Sequence, residues 1–344
     1  MNLRSLRGKL LLSLLLGVLV FVGLSLYADF ADLLTSLSDF QWALLPAVLA
    51  LSIMNYVLRF VKWQFYLRLI GVRGLRVLDS LLIYWSGLGM VITPGKVGEW
   101  LKSYLLREVH GTPLMRSAPI LIAERLTDSM ALLILAAVGL FMFGNLWQAY
   151  MVVAVGSLAL MMLARHRPTA TLVLRLVQRV PLVSRFLPNL EEFYESTHVL
   201  LAPWSMLLMT GLSVCSWVCE VLAFYLVLLG LGQTASPELF VKASFILPIA
   251  TLAAAIVFFM PGGLGVAEGG ITGLSQVLVD MSKSTAAVGT LIIRFGTLWF
   301  GVLIGLVALG LLSRRLALAP EGVPVPAPVT PPAAGAETVS DAPR

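Results

Sequence analysis

Thr93-Pro94-Gly95-Lys96-Val97-Gly98-Glu99 breaks the apolar sequence of this chain. Before it lies 81–92, an apolar run with one Tyr and one Trp; after it lies 100–106, a second mostly apolar run. Proline and two glycines end a helix here, and Lys96 and Glu99 put a cation and an anion where apolar residues would be expected. Pro261-Gly262-Gly263-Leu264-Gly265-Val266-Ala267-Glu268 repeats the arrangement towards the other end. Non-helical backbone at membrane depth is tolerated only where it is buried in protein or lines a polar cavity. Both stretches therefore read as turns of hairpins beside a substrate pathway, with Pro94, Gly95, Gly98, Pro261, Gly262, Gly263 and Gly265 shaping the turns.

The composition sets the solvent. Of 344 residues, 59% are hydrophobic and 12% charged, with a mean hydropathy of +0.93; soluble chains carry about 25% charged residues. The chain reads as an all-α, polytopic membrane bundle. Its net charge of +6 describes loops facing anionic lipid rather than nucleic acid. Cys215 and Cys219, four apart in an apolar helix, read as packing residues, and His110, His166 and His198 are too scattered for a metal site. No phosphate-binding G-x-x-x-x-G-K-[ST] loop occurs. No cofactor is indicated.

Charge along the chain predicts the topology. Arg4, Arg7 and Lys9 precede the apolar run 10–28, which has no small-x-small site and reads as a retained anchor. Asp29, Asp32 and Asp39 follow on the outside. Residues 42–58 return, delivering Arg59, Lys62, Arg68, Arg73 and Arg76 to the inner face. Residues 77–92 leave again, yet Lys102, Arg107 and Arg116 follow without another clear span, so a re-entrant hairpin is predicted. Residues 117–143 cross outward, 147–163 return, and 168–203 form an amphipathic cytoplasmic stretch. Residues 204–231 cross outward; 240–260 enter from outside, break at Pro261, and leave through 266–279; 285–312 cross inward to Arg314-Arg315. Residues 317–344, rich in Pro and Ala, read as a disordered cytoplasmic tail. The prediction is a transmembrane domain over 1–316 with about six full spans and two hairpins. The halves 42–143 and 204–312 form an inverted repeat, and both termini lie on the cytoplasmic side of an inner membrane.

Charges at membrane depth narrow the function. Glu99, Glu124, Arg125, Asp128, Glu220, Glu268 and Arg294 fall within or against apolar segments, where one charge at a helix centre opposes insertion by about 2.5–3.5 kcal/mol. They should face inward and pair. One reading is an internal salt-bridge network that locks the hairpins. Another adds an anionic headgroup met by Lys96, Arg125 and Arg294 while carboxylates hold them. Asn55, Arg59 and Lys62, spaced by four and three, share a helix face beside Trp63. They read either as ordinary snorkelling at the interface or as a basic collar for lipid phosphate.

Six elements in order carry a family resemblance: Asn55-x-x-x-Arg59-x-x-Lys62-Trp63, the stretch 93–99, Glu124-Arg125-x-x-Asp128, Trp217-x-x-Glu220, the stretch 261–268, and Arg294. Together, over residues 10–315, they resemble the lysylphosphatidylglycerol synthase transmembrane-region family, whose members are also called flippase-like integral membrane proteins. In its best-known members this region is joined to a soluble aminoacyl-transferase domain and is assigned to moving the modified lipid between leaflets. Residues 316–344 are too few for such a domain, so a stand-alone member without synthase activity is expected. The resemblance implies Arg59, Lys62, Lys96, Glu99, Glu124, Arg125, Asp128, Glu220, Glu268 and Arg294 as the headgroup and gating set. It implies a membrane lipid as partner, with lipid-biosynthesis enzymes encoded nearby. A membrane-embedded transferase and a non-transporting accessory subunit of a lipid-biosynthesis complex remain as alternatives.

Overall fold

Backbone amides in lipid must be satisfied within the chain, which leaves helices or a closed barrel; every regular element among the described residues is helical. The structure, a computed structural model, describes residues 15, 17–23, 25–93, 97–140, 190–256 and 263–318, with 147–148, 151, 155–156, 159 and 162. The tail and most of the expected span 147–163 lie outside these residues, as do Pro94, Gly95, Lys96, Pro261, Gly262 and the side chains of Gly98 and Glu99.

Helices α1 (Gly17–Ala28) and α2 (Phe30–Ser38) meet at a 98° bend. At the bend Asp29 takes a positive φ of 63° and its carboxylate caps the Ala31 N–H. Helix α3 (Leu45–Leu69) follows, then α4 (Val77–Leu88) and α5 (Val97–His110) on either side of the first Pro-Gly stretch, and α6 (Leu114–Leu140). After α7 (Leu190–Leu200), α8 (Pro203–Gly230) and α9 (Pro237–Ile256) lead to the second Pro-Gly stretch and α10 (Val266–Val279). Helix α11 (Lys283–Arg294) runs through a π-helical turn, Phe295–Trp299, into α12 (Phe300–Leu318).

Serine and threonine sit inside these helices without breaking them. Their hydroxyls return to the carbonyl four residues back, as Ser52 does to Val48, Ser86 to Leu82 and Thr290 to Ala286. At the π turn the Tyr56 hydroxyl donates to Thr297 O at 2.5 Å.

The packing exchanges elements between the two halves of the chain. Helix α3 lies along α8; α4 packs on α12, and α9 packs on α6. Each Pro-Gly stretch also joins two helices in contact, α4 with α5 and α9 with α10. Helix α7 packs on α6 with Leu200 and Leu201 buried, so this part of the expected surface stretch is anchored in the core.

Among the described residues four helical stretches are long and apolar enough to cross a membrane: Trp42–Leu69, Pro203–Gly230, Pro237–Ala255 and Lys283–Leu316. A fifth is added if α1 and α2 count as one span. Of the six expected spans, 42–58, 204–231 and 285–312 fall in these stretches and 147–163 lies mostly outside the described residues, while Pro237–Ala255 coincides with the entering arm of the second expected hairpin. Helix α6 is 27 residues long but carries Arg116, Glu124, Arg125 and Asp128, too polar to qualify on composition. The hairpin arms are also unequal: α4 has 12 residues whereas α9 has 20.

Candidate functional site

Three helices bring a polar layer together between two apolar clusters. Along α3 the order is Val48, then Asn55, Arg59 and Lys62, then Trp63 and Tyr66; along α6 it is Ala123, then Glu124, Thr127 and Asp128, then Ala131. Helix α8 places Met209, then Ser213, Ser216 and Glu220, then Val221. The three- and four-residue spacings keep each set on one helix face. The apolar clusters on either side hold the polar faces together and exclude lipid from them.

Asp128 is the hub. Lys62 Nζ lies 2.7 Å from Asp128 Oδ1, and Arg59 Nη2 lies 3.1 Å from Asp128 Oδ2. The Lys62 ammonium also donates to Thr127 Oγ1 at 2.9 Å and Ser213 Oγ at 2.7 Å, while the Ser213 hydroxyl donates to Asp128 at 3.0 Å. Lys62 is 2% exposed. It does not snorkel to an interface, because its three ammonium donors are all met inside the bundle. Asn55 Nδ2 bridges Glu220 Oε1 at 3.0 Å and the Ser216 carbonyl at 2.9 Å. The Arg59 guanidinium stacks over Trp217, 4.9 Å from the ring centroid. Asn55 Oδ1, Arg59 Nε and Trp217 Nε1 are buried with no hydrogen-bond partner among the described residues.

Two further ion pairs tie the helices that follow the Pro-Gly stretches, α5 and α10, to α6 and α11. Lys102 on α5 meets Glu124 on α6 at 2.5 Å, its ammonium held 5.1 Å from the Trp63 ring and 5.0 Å from the Tyr84 ring. Glu268 on α10 meets Arg294 on α11 at 2.5 Å and also accepts the Gly265 N–H at 2.7 Å. Gly265 has φ 87°, a conformation open to glycine at little strain, which starts α10 where Glu268 can reach back to it. In the first pair α5 supplies the cation, and in the second α10 supplies the anion.

Of the residues singled out by sequence, Arg59 and Lys62 both contact Asp128 directly. Glu124, Glu268 and Arg294 take part in the two flanking pairs. Glu220 is joined to α3 through the Asn55 amide. Arg125 and Asp128 stand three apart on α6, yet the Arg125 side chain is exposed, against the expectation that it faces inward, whereas Asp128 turns into the core. Asp128 takes its cations from α3 instead. Thr127, Ser213, Ser216 and the pairing of Lys102 were not among the sequence candidates. The spacing of Ser213, Ser216 and Glu220 along one face was their visible signal. A concave face of about 560 Å³ adjoins α3, lined by Phe60, Phe65 and Leu75 and by Gln64, Arg68 and Arg73.

A family model described as the lysylphosphatidylglycerol synthase TM region matches residues 14–305. The glycosyltransferase AglD of Haloferax volcanii is 23% identical over 317 residues, 81% of this chain and 50% of that protein. A UPF0104 membrane protein of Methanothermobacter thermautotrophicus is 34% identical over 116 residues, 31% of each chain. The chain thus spans half the length of the first relative, and the second match covers a smaller part of both proteins.

Proposed function

We infer, from the fact that this chain belongs to the lysylphosphatidylglycerol synthase transmembrane-region family, that it is a membrane lipid translocase. Its cargo in this reading is an anionic or headgroup-modified lipid, moved between leaflets along the polar layer. One observation carries the reading: four cations and four carboxylates, Arg59, Lys62, Lys102 and Arg294 with Glu124, Asp128, Glu220 and Glu268, are gathered inside an apolar bundle. A membrane scaffold gains little from such a set, since each buried charge opposes insertion. A pathway for a charged headgroup needs cations to receive it and anions to hold those cations while it is absent. The concave face on α3 joins Arg68 and Arg73 to apolar walls, a combination that suits a phosphate and the start of an acyl chain.

The two halves act as an inverted repeat in this reading, with the pathway between them near the bilayer midplane. Support comes from the exchanged packing, α4 on α12 and α9 on α6 about the α3–α8 pair, and from the reversed polarity of the two ion pairs. The inner membrane is the site of action, with both termini cytoplasmic. A second reading, service to a sugar-transfer step on a lipid, is favoured by the glycosyltransferase name of the AglD relative.

The test is leaflet-resolved labelling of lipid in vesicles holding the purified protein and no enzyme. Wild type should equilibrate a labelled anionic phospholipid faster than empty vesicles, and Arg294→Lys should be slower although its charge is kept. Equal rates in wild-type and empty vesicles would refute translocation and leave the transferase-linked reading.

A further inference from the structure

We propose that Glu220 is a proton-binding site, and that a proton taken from water on one side and returned to water on the other accompanies lipid movement. This rests on the translocase reading. Among the described residues Glu124, Asp128 and Glu268 each have an ammonium or guanidinium within ion-pair distance, and Glu220 has only the neutral Asn55 amide. It is the carboxylate of the set whose charge can be removed without stranding a directly bonded cation.

The amide beside it is built for both protonation states. Asn55 Nδ2 donates to two acceptors, the Ser216 carbonyl at 2.9 Å and Glu220 Oε1 at 3.0 Å, which fixes the orientation of the amide. A flipped amide would set its oxygen against both. Asn55 Oδ1 is thereby left buried without a donor among the described residues. Buried polar atoms are normally paired. A proton on Glu220 supplies the donor: the acid O–H and the amide C=O then complement the amide N–H and the acid C=O.

The groups facing Glu220 explain how lipid and proton would be linked. Helix α3 presents Arg59 and Tyr56, α6 presents Asp128, α11 presents Arg294, and Cys219 adjoins it on α8. Arg59 and Arg294 bring positive charge to this part of the bundle, and Asp128 brings negative charge. A headgroup phosphate that engages Arg59 or Arg294 weakens their hold on Glu220, and the proton binds. Release of the headgroup returns the guanidinium groups and expels the proton. Anion and proton then travel as a near-neutral pair through a low-dielectric core.

The experiment uses phosphatidylcholine vesicles holding the full chain, a trace of headgroup-labelled phosphatidylglycerol, and a pH step across the bilayer. A step of one pH unit should shift the steady-state leaflet ratio of the label by up to about tenfold for one proton per lipid. Glu220→Gln, which presents an amide donor permanently, should abolish the shift, and Glu220→Asp should retain it. A second readout is independent of transport: acidifying detergent-solubilised wild type should raise a carboxylic-acid C=O infrared band that is absent from Glu220→Gln and displaced in Glu220→Asp. Label that equilibrates with the same leaflet ratio with and without the pH step overturns proton coupling while leaving the translocase reading intact. A wild type that moves no label at all overturns both. Should Glu220→Gln fail to assemble, displacement of the band in Glu220→Asp decides for the site and its absence against.

Discussion

Arg294 Nε lies 2.5 Å from Glu268 Oε1, joining α10 to α11. Glu268 is 3% exposed, and its other oxygen accepts the Gly265 N–H. The same carboxylate therefore caps its own helix and neutralises Arg294, so the turn, the helix start and the ion pair depend on one side chain.

Arg294→Ala should lower stability by about 3–5 kcal/mol, because it leaves a buried carboxylate without its cation. Glu268→Gln with Arg294→Met should recover much of that loss, since no charge then remains unpaired. Thermal unfolding in detergent checks the cycle; an Arg294→Ala protein as stable as wild type would show that water already reaches Glu268.

Asp128 and Lys62 should not be equivalent, although they form one ion pair. Asp128→Asn strands Lys62 and Arg59 together, whereas Lys62→Met leaves Asp128 bonded to Arg59. With each broken buried pair worth about 3–5 kcal/mol, Asp128→Asn should be the more damaging. Yield of folded protein and melting temperature, measured for both, give the order; the reverse order would contradict the placement of Asp128 as hub.

Gly305 and Gly89 let α12 and the end of α4 cross backbone to backbone. A Cβ added at Gly305 would lie 2.0 Å from the Gly89 amide nitrogen, and one added at Gly89 would lie 2.9 Å from the Gly305 carbonyl carbon. No side chain can swing aside to relieve either contact. Gly305→Ala should therefore cost more than the about 1–3 kcal/mol usual for overpacking, while Gly310→Ala, with nothing within 4 Å, should be neutral. Melting of the two variants side by side provides the comparison.

Orientation is open to labelling. Arg68, Arg73, Arg76, Arg107 and Arg116 surround the loops at both ends of the first hairpin, which predicts a cytoplasmic His110. In a background lacking Cys215 and Cys219, His110→Cys should react with a membrane-impermeant thiol reagent only after the inner face is exposed. Reaction from outside alone would reverse the orientation.

Composition by itself determined that the chain is a helical membrane protein: with 59% hydrophobic and 12% charged residues it can satisfy its backbone in lipid as helices. The Pro-Gly stretches marked the breaks, and α4 and α5 do flank the first and α9 and α10 the second. Insertion energetics named Glu124, Asp128, Glu220, Glu268 and Arg294 as inward-facing without a structure, and Arg125 is the exposed exception. Their partners could not be named in this way. Lys62 and Asp128 are 66 positions apart, Asn55 and Glu220 165 apart, and helical spacing reports neighbours only within one helix. Local spacing alone would set Arg125 beside Asp128, while the tertiary packing exposed Arg125 and brought α3 to Asp128. Serines of α8 and Thr127 were overlooked for a related reason: an isolated hydroxyl in an apolar helix can bond its own backbone, and only the close approach of α3, α6 and α8 turned Thr127 and Ser213 towards Lys62. Which residues are buried and charged is a property of one helix and its solvent. Which of them meet depends on how distant helices pack, because partner choice at this depth is set by the geometry that leaves the fewest charges unpaired.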